Sequence, residues 1–177
     1  MLTPDQEKWL AQLSDTKTVS YFPFDSAVLS VYDDVAARAR AAVGEGAVVE
    51  LRGSAALGIG GQREIDVYLP VPPVRFDETV AALRRAFGDP GSLYPLERAR
   101  FAWHEAEVKV ELFVINEEGD GWRNGLLFEG HLATHPDDLA RYELLKKEAD
   151  GVSLREYYRR KLEFLNEILA RAASLGV

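Results

Sequence analysis

The sequence predicts an α+β fold: a small mixed sheet with one crossover helix, flanked by helices and followed by a C-terminal helical segment. Three observations predict it. Ala47 to Leu51 and Glu64 to Leu69 carry strand patterns on either side of a glycine-rich loop. Arg98 to Val114 reads as an antiparallel hairpin, and the chain beyond residue 120 has helical periodicity. At 177 residues the chain fits one domain, 1–177, with an N-terminal helical extension over 1–20 and a helical segment over 120–172 expected to pack on the core.

Residues 4–14 read as a short helix, with Thr3 as cap and Pro4 at the first position. A longer helix spans about 26–43, where Ala27, Val31, Val35 and Ala39 recur every four residues. Asp25 or Ser26 can cap it, and Gly44 and Gly46 stop it. After the first strand, residues 52–62 form a loop of small residues. The second strand alternates two faces and ends at Pro70, Pro72 and Pro73. Phe76 to Phe87 is an amphipathic helix closed by Gly88-Asp89-Pro90-Gly91. The hairpin turns near Glu105. In its second arm Val108, Val110, Leu112 and Val114 face one way, and Glu107, Lys109, Glu111 and Phe113 the other. Helices follow over about 120–133, 136–149 and 153–172, the second opened by Pro136 with Asp137 and Asp138 in its first turn.

Nearly half the residues are hydrophobic, so a buried core is expected. Lys and Arg total 21 against 29 Asp and Glu, a net charge of -8. That balance argues against general nucleic-acid binding, which needs a surplus of cations to displace counterions. With no cysteine, disulfides, thiolate zinc sites and thiol nucleophiles are excluded. The first twenty residues carry charges and no apolar run, and no segment reaches the roughly 18 apolar residues of a membrane span. The expectation is a cytoplasmic protein with no membrane association.

The chemistry concentrates in Val49 to Ser54 and, nine residues on, Glu64-Ile65-Asp66-Val67. Residues i and i+2 of a strand project on one face, so Glu64 and Asp66 can converge. Paired carboxylates suit Mg²⁺ (or Mn²⁺), which prefers acids, substrate phosphates and retained waters. The Gly53-Ser54 turn complements them, because glycine lets backbone amides approach a phosphate and the serine hydroxyl adds a donor. Glu111, on the polar face of the later strand, is the candidate third acid, with Glu107 in reserve. Catalytic and metal roles therefore fall to Glu64, Asp66 and Glu111. Metal ions in such a site would neutralise the attacked α-phosphate and help deprotonate an incoming hydroxyl. Each motif alone also has a plain structural reading, since Gly-Ser turns are common and an exposed Glu-x-Asp on a solvated face needs no function.

Arg52-Gly53-Ser54-Ala55-Ala56-Leu57-Gly58 through Glu64-Ile65-Asp66-Val67 resembles the signature of the DNA polymerase β nucleotidyltransferase superfamily. Within it the chain is similar to the GrpB family. That likeness is carried by Glu117-Glu118-Gly119, Trp122-Arg123, Leu127-Phe128, His135-Pro136, Tyr142 to Lys146, and Tyr157 to Lys161 with Phe164, over roughly residues 20–172. The resemblance implies a nucleotidyltransferase-type sheet and metal-dependent transfer of a nucleotidyl group from an NTP to an acceptor this sequence does not identify. A catalytically inactive nucleotide-binding or protein-interaction module of the same fold is the alternative, since GrpB-like domains are known as appendages of a coenzyme A biosynthesis kinase.

A triphosphate needs cations beside it. Tyr142 with Lys146 and Tyr157 with Lys161 are i, i+4 pairs that each share a helix face. The GrpB likeness makes them candidates to bind phosphates, with Lys109 best placed next to Glu111 and with Arg52, Arg63 and Arg123 behind it. Packed tyrosines and solvated lysines would look the same in sequence. His131 and His135 are four apart, but Pro136 is expected to separate their faces, so zinc is not favoured. Phe101, Trp103, Phe113, Trp122 and Phe128 read as core, although one could stack a base. The apolar stripe of residues 136–172 can bury itself within the chain or make a dimer; intramolecular packing is preferred, and the chain is expected to be a monomer or weak dimer.

Overall fold

The computed structural model describes residues 1–174, with side chains through Ala172. In chain order the elements are α1 (Pro4–Leu10), α2 (Val28–Val43), β1 (Glu50–Arg52), α3 (Gly53–Ala56), β2 (Glu64–Val71), α4 (Pro73–Phe87), β3 (Ser92–Tyr94), β4 (Arg98–Glu105), β5 (Val108–Asn116), α5 (Asp120–Thr134), α6 (Pro136–Glu148) and α7 (Leu154–Ser174). They divide into two units. A sheet unit comprises Phe24–Ile59 and Arg63–Arg123; a helical unit comprises Met1–Pro23, Gly60–Gln62 and the chain from Asn124 onward.

In the sheet unit the strand order is β1-β2-β5-β4-β3. β2 and β5 run parallel at the centre, and every other pairing is antiparallel. Alternation along each strand sends Ile65, Val67, Leu69, Ala99, Phe101, Val110, Leu112 and Val114 to one face. There they form one core with Val35, Ala36 and Ala39 of α2 and Phe76, Val80 and Leu83 of α4. The other face is charged and aromatic, and it carries the candidate site.

Several boundaries move. α2 begins at Val28 without a side-chain cap; the Asp25 carboxylate accepts instead from the Ala27 amide at 2.9 Å. β1 covers Glu50–Arg52, three residues inside the expected strand at its start and one beyond it at its end. Residues 53–56 of the loop wind into α3. β2 runs on through Pro70 to Val71, because pairing with β5 holds it to Asn116 and proline is tolerated near a strand end. α4 then opens with Pro73 in its first turn. β3 was not expected from the sequence; it is three residues long and pairs only at the sheet edge.

In the helical unit Thr3 and Gln6 form a reciprocal capping box at the start of α1, which ends at Leu10. Arg155 of α7 donates to the carbonyls of Leu10 and Leu13, tying down the end of α1. Phe128, Tyr142 and Phe164 pack ring to ring between α5, α6 and α7. The expected apolar stripe on α6 is replaced by a mixed one. Asp138, Tyr142 and Lys146, spaced by four, are its buried residues, and the two charges are tolerated because each is partnered.

Candidate functional site

β2 and β5 place the candidate acids. Their parallel register sets Glu64 opposite Lys109 and Asp66 opposite Glu111. Residues directly opposite across a ladder share a face, so all four side chains project together. The Lys109 ammonium lies 3.0 Å from Glu64 Oε2 and 2.6 Å from Glu111 Oε1. Arg100 of β4 donates to the same Glu111 oxygen at 2.9 Å. The two glutamates are 14% and 13% exposed, which makes this clasp a half-buried one. Burial alone would lower the Lys109 pKa, but the charges and hydrogen bonds of Glu64 and Glu111 outweigh it and hold the ammonium above the ordinary lysine range.

The Gly53-Ser54 turn abuts the third acid. Gly53 has a positive φ of 67°, and a Cβ there would lie 2.3 Å from Asp66 Oδ2. The backbone conformation favours glycine, and an added Cβ would push the Asp66 carboxylate aside. Gly53→Ala is expected to lower stability by about 1–2 kcal/mol and to displace the Asp66 carboxylate; chemical denaturation measures the first.

The charged face is close to balanced. Register and alternation put Glu50 and Arg52 of β1, Glu64 and Asp66 of β2, Arg98 and Arg100 of β4, and Lys109 and Glu111 of β5 on it. Aromatic rings separate the charges. Arg52 lies 5.0 Å from the centre of Trp122, Tyr68 stacks on Phe113 at 4.6 Å, and Arg98 lies between Tyr94 and Phe113. Trp122 and Phe113 are thus consumed in packing.

A divalent ion is the group the acids were expected to hold. Their chemistry suits one, but their arrangement does not fit it: Lys109 sits between Glu64 and Glu111, and among the described residues no three His, Cys, Asp or Glu side chains are grouped to hold a metal. Glu107, the reserve acid, is not on the strand at all. It lies in the β4–β5 turn, beyond Glu105, and pairs with Arg63 at 2.7 Å.

The phosphate-binding candidates of the C-terminal helices lie in the helical unit. Lys146 is 4% exposed, with its ammonium 3.4 Å from the Tyr157 hydroxyl and 4.9 Å from the Tyr142 ring centre. Lys161 lies over Tyr158, not Tyr157. Nearby, Glu143 accepts from the Tyr21 hydroxyl and the Gly60 amide. Burial and the adjoining Glu143 carboxylate raise the Tyr21 pKa.

Sequence reasoning missed one node of the helical unit. Asp138 of α6 is bound by His131 Nε2 at 2.8 Å, Arg141 at 2.7 Å and Arg171 at 3.1 Å. His131 and His135, expected on separate faces, stack at 3.8 Å with a 5° tilt. Pro136 starts α6 directly after His135, whose Nδ1 turns back to the His131 carbonyl at 2.9 Å. The break thus brings the rings together.

Fold and site together define an α+β protein whose five-stranded sheet carries clasped carboxylates on one face. The GrpB protein family matches residues 18–171, and the chain belongs to that family. The crystal structure of conserved protein GrpB from Enterococcus faecalis is similar in fold, with a TM-score of 0.68 at 17% identity over 86% of this chain and 96% of that one. No curated protein matches the sequence significantly.

Proposed function

We propose that this GrpB-family chain is a nucleotidyltransferase-type domain that binds nucleotide without transferring it. One observation carries the reading: the Lys109 ammonium sits between Glu64 and Glu111, where a transferase would hold its metal. The Gly53-Ser54 turn is held against the Asp66 carboxylate on the same face, so a phosphate would reach it through a cation placed beside that acid. Lys109 and Arg100 supply cations on the same face.

A second reading is Mg²⁺-dependent transfer of a nucleotidyl group from an NTP to a hydroxyl acceptor. It is favoured by Asp66 and Glu111 standing opposite each other on neighbouring strands, and it requires Lys109 to leave the carboxylates. A panel of four NTPs separates the two. The expected result is a rise in melting temperature with nucleotide in EDTA, and no pyrophosphate release with Mg²⁺ or Mn²⁺. Pyrophosphate appearing in step with protein concentration would establish transfer. Failure of every nucleotide to bind, with or without metal, leaves a protein-interaction module.

A further inference from the structure

We propose that Lys109 is the resident cation of the carboxylate site: its ammonium takes the position of a divalent ion, so the site works without metal and becomes a metal site when that ammonium is removed. The proposal rests on the non-catalytic reading above and adds what holds the acids together. The ammonium touches one oxygen from β2 and one from β5 at 3.0 and 2.6 Å. A Mg²⁺ or Mn²⁺ ion bridging those two oxygens would need them at roughly 2.1 Å, in the space the ammonium fills. The two cations are therefore mutually exclusive.

Charge balance gives the same answer. Glu50, Glu64, Asp66 and Glu111 face Arg52, Arg98, Arg100 and Lys109 across one sheet surface. A divalent ion added to that set would leave surplus positive charge in a half-buried place, which is costly. Taking Lys109 away leaves surplus negative charge on acids from two adjacent strands. That is the condition under which a hard divalent cation binds. A phosphate-bearing ligand would then meet a side-chain ammonium in the native chain, and a metal ion only in the variant.

The test is calorimetric titration with MnCl2 of the full chain and of Lys109→Met, each checked for fold by circular dichroism. The wild type is expected to bind no Mn²⁺ at the site, and Lys109→Met to gain affinity by at least about tenfold, with a matching rise in melting temperature. Adding Glu111→Gln to that variant is expected to abolish the gain. A folded Lys109→Met no better than wild type overturns the proposal, as does a gain that survives Glu111→Gln. Should Lys109→Met not fold, Lys109→Gln keeps the volume and a donor and must show the gain instead. Stoichiometric Mn²⁺ binding by the wild type, displaced by EDTA and lost in Glu111→Gln, overturns it with no lysine variant. Pyrophosphate release with Mg²⁺ would refute the non-catalytic reading and this proposal with it, whereas a folded Lys109→Met that gains no Mn²⁺ affinity refutes the proposal alone, so the two failures are distinguishable.

Discussion

Asp138→Ala is expected to lower the unfolding free energy by about 2–3 kcal/mol, a large effect for a polar side chain. The carboxylate is 12% exposed and binds His131, Arg141 and Arg171, which bring α5, α6 and α7 to one point. Removing it leaves the 7%-exposed His131 ring without its acceptor. The two arginines are nearly half exposed, and solvent screens their share, which keeps the figure below that of a fully buried network. The His131 hydrogen bond, with help from Arg141 and Arg171 and against burial, holds the Asp138 pKa at about 2, below its ordinary 3.8. Its stabilisation is therefore complete above the unfolded pKa and disappears as pH falls through the folded one. In urea titrations the gap between wild type and Asp138→Asn is expected to be constant near neutrality and to close by about 1 kcal/mol between roughly pH 4 and pH 2. A gap unchanged over that interval would mean the carboxylate is not held as an anion.

Lys109→Met is expected to cost about 2 kcal/mol in metal-free buffer, because it takes the ammonium from two half-buried glutamates, of which Glu111 keeps Arg100, while retaining the aliphatic stem. A lysine one-third exposed is partly screened, so the cost stays below that of a sealed ion pair. The pKa of Lys109 is raised in the fold, so its contribution is full below the unfolded value of about 10.4 and is lost as pH climbs through the folded one. Denaturation of wild type and variant should differ by a constant amount from pH 7 to about pH 10 and converge only at higher pH. Convergence already at pH 8 would show that the carboxylates do not hold the ammonium.

Much of the sheet was legible because period-two alternation is a strong signal. Glu64-x-Asp66 and Lys109-x-Glu111 read correctly as same-face pairs. The hairpin was legible too, although its turn falls at Ala106 and Glu107, which removes Glu107 from the polar face. The clasp itself was not legible, since it depends on the register of two strands far apart in sequence. A shift of one residue would turn Lys109 to the other face. Asp138 was hidden for a related reason: an acid in a helix's first turn is adequately explained by the helix dipole, and nothing in the sequence says that Arg171 returns to it. Lys146 shows the reverse. Its spacing from Tyr142 was read correctly as a shared face, but burial decides its surroundings, and burial of a lysine is invisible to pattern.

The central parallel pair also implies an order of assembly. β4 and β5 are joined by a tight turn, whereas Lys109 and Glu64 are 45 residues apart. Closing the short loop loses little chain entropy and closing the long one loses more, so the hairpin is expected to form first and β2 to dock beside it, an order that transition-state mapping with substitutions in β2 and β4 checks. Until then Glu64 and Asp66 stay in water and Lys109 has at most Glu111 for company. On that order Glu64 is desolvated in the same event that delivers the Lys109 ammonium, and the growing sheet does not carry that buried charge alone.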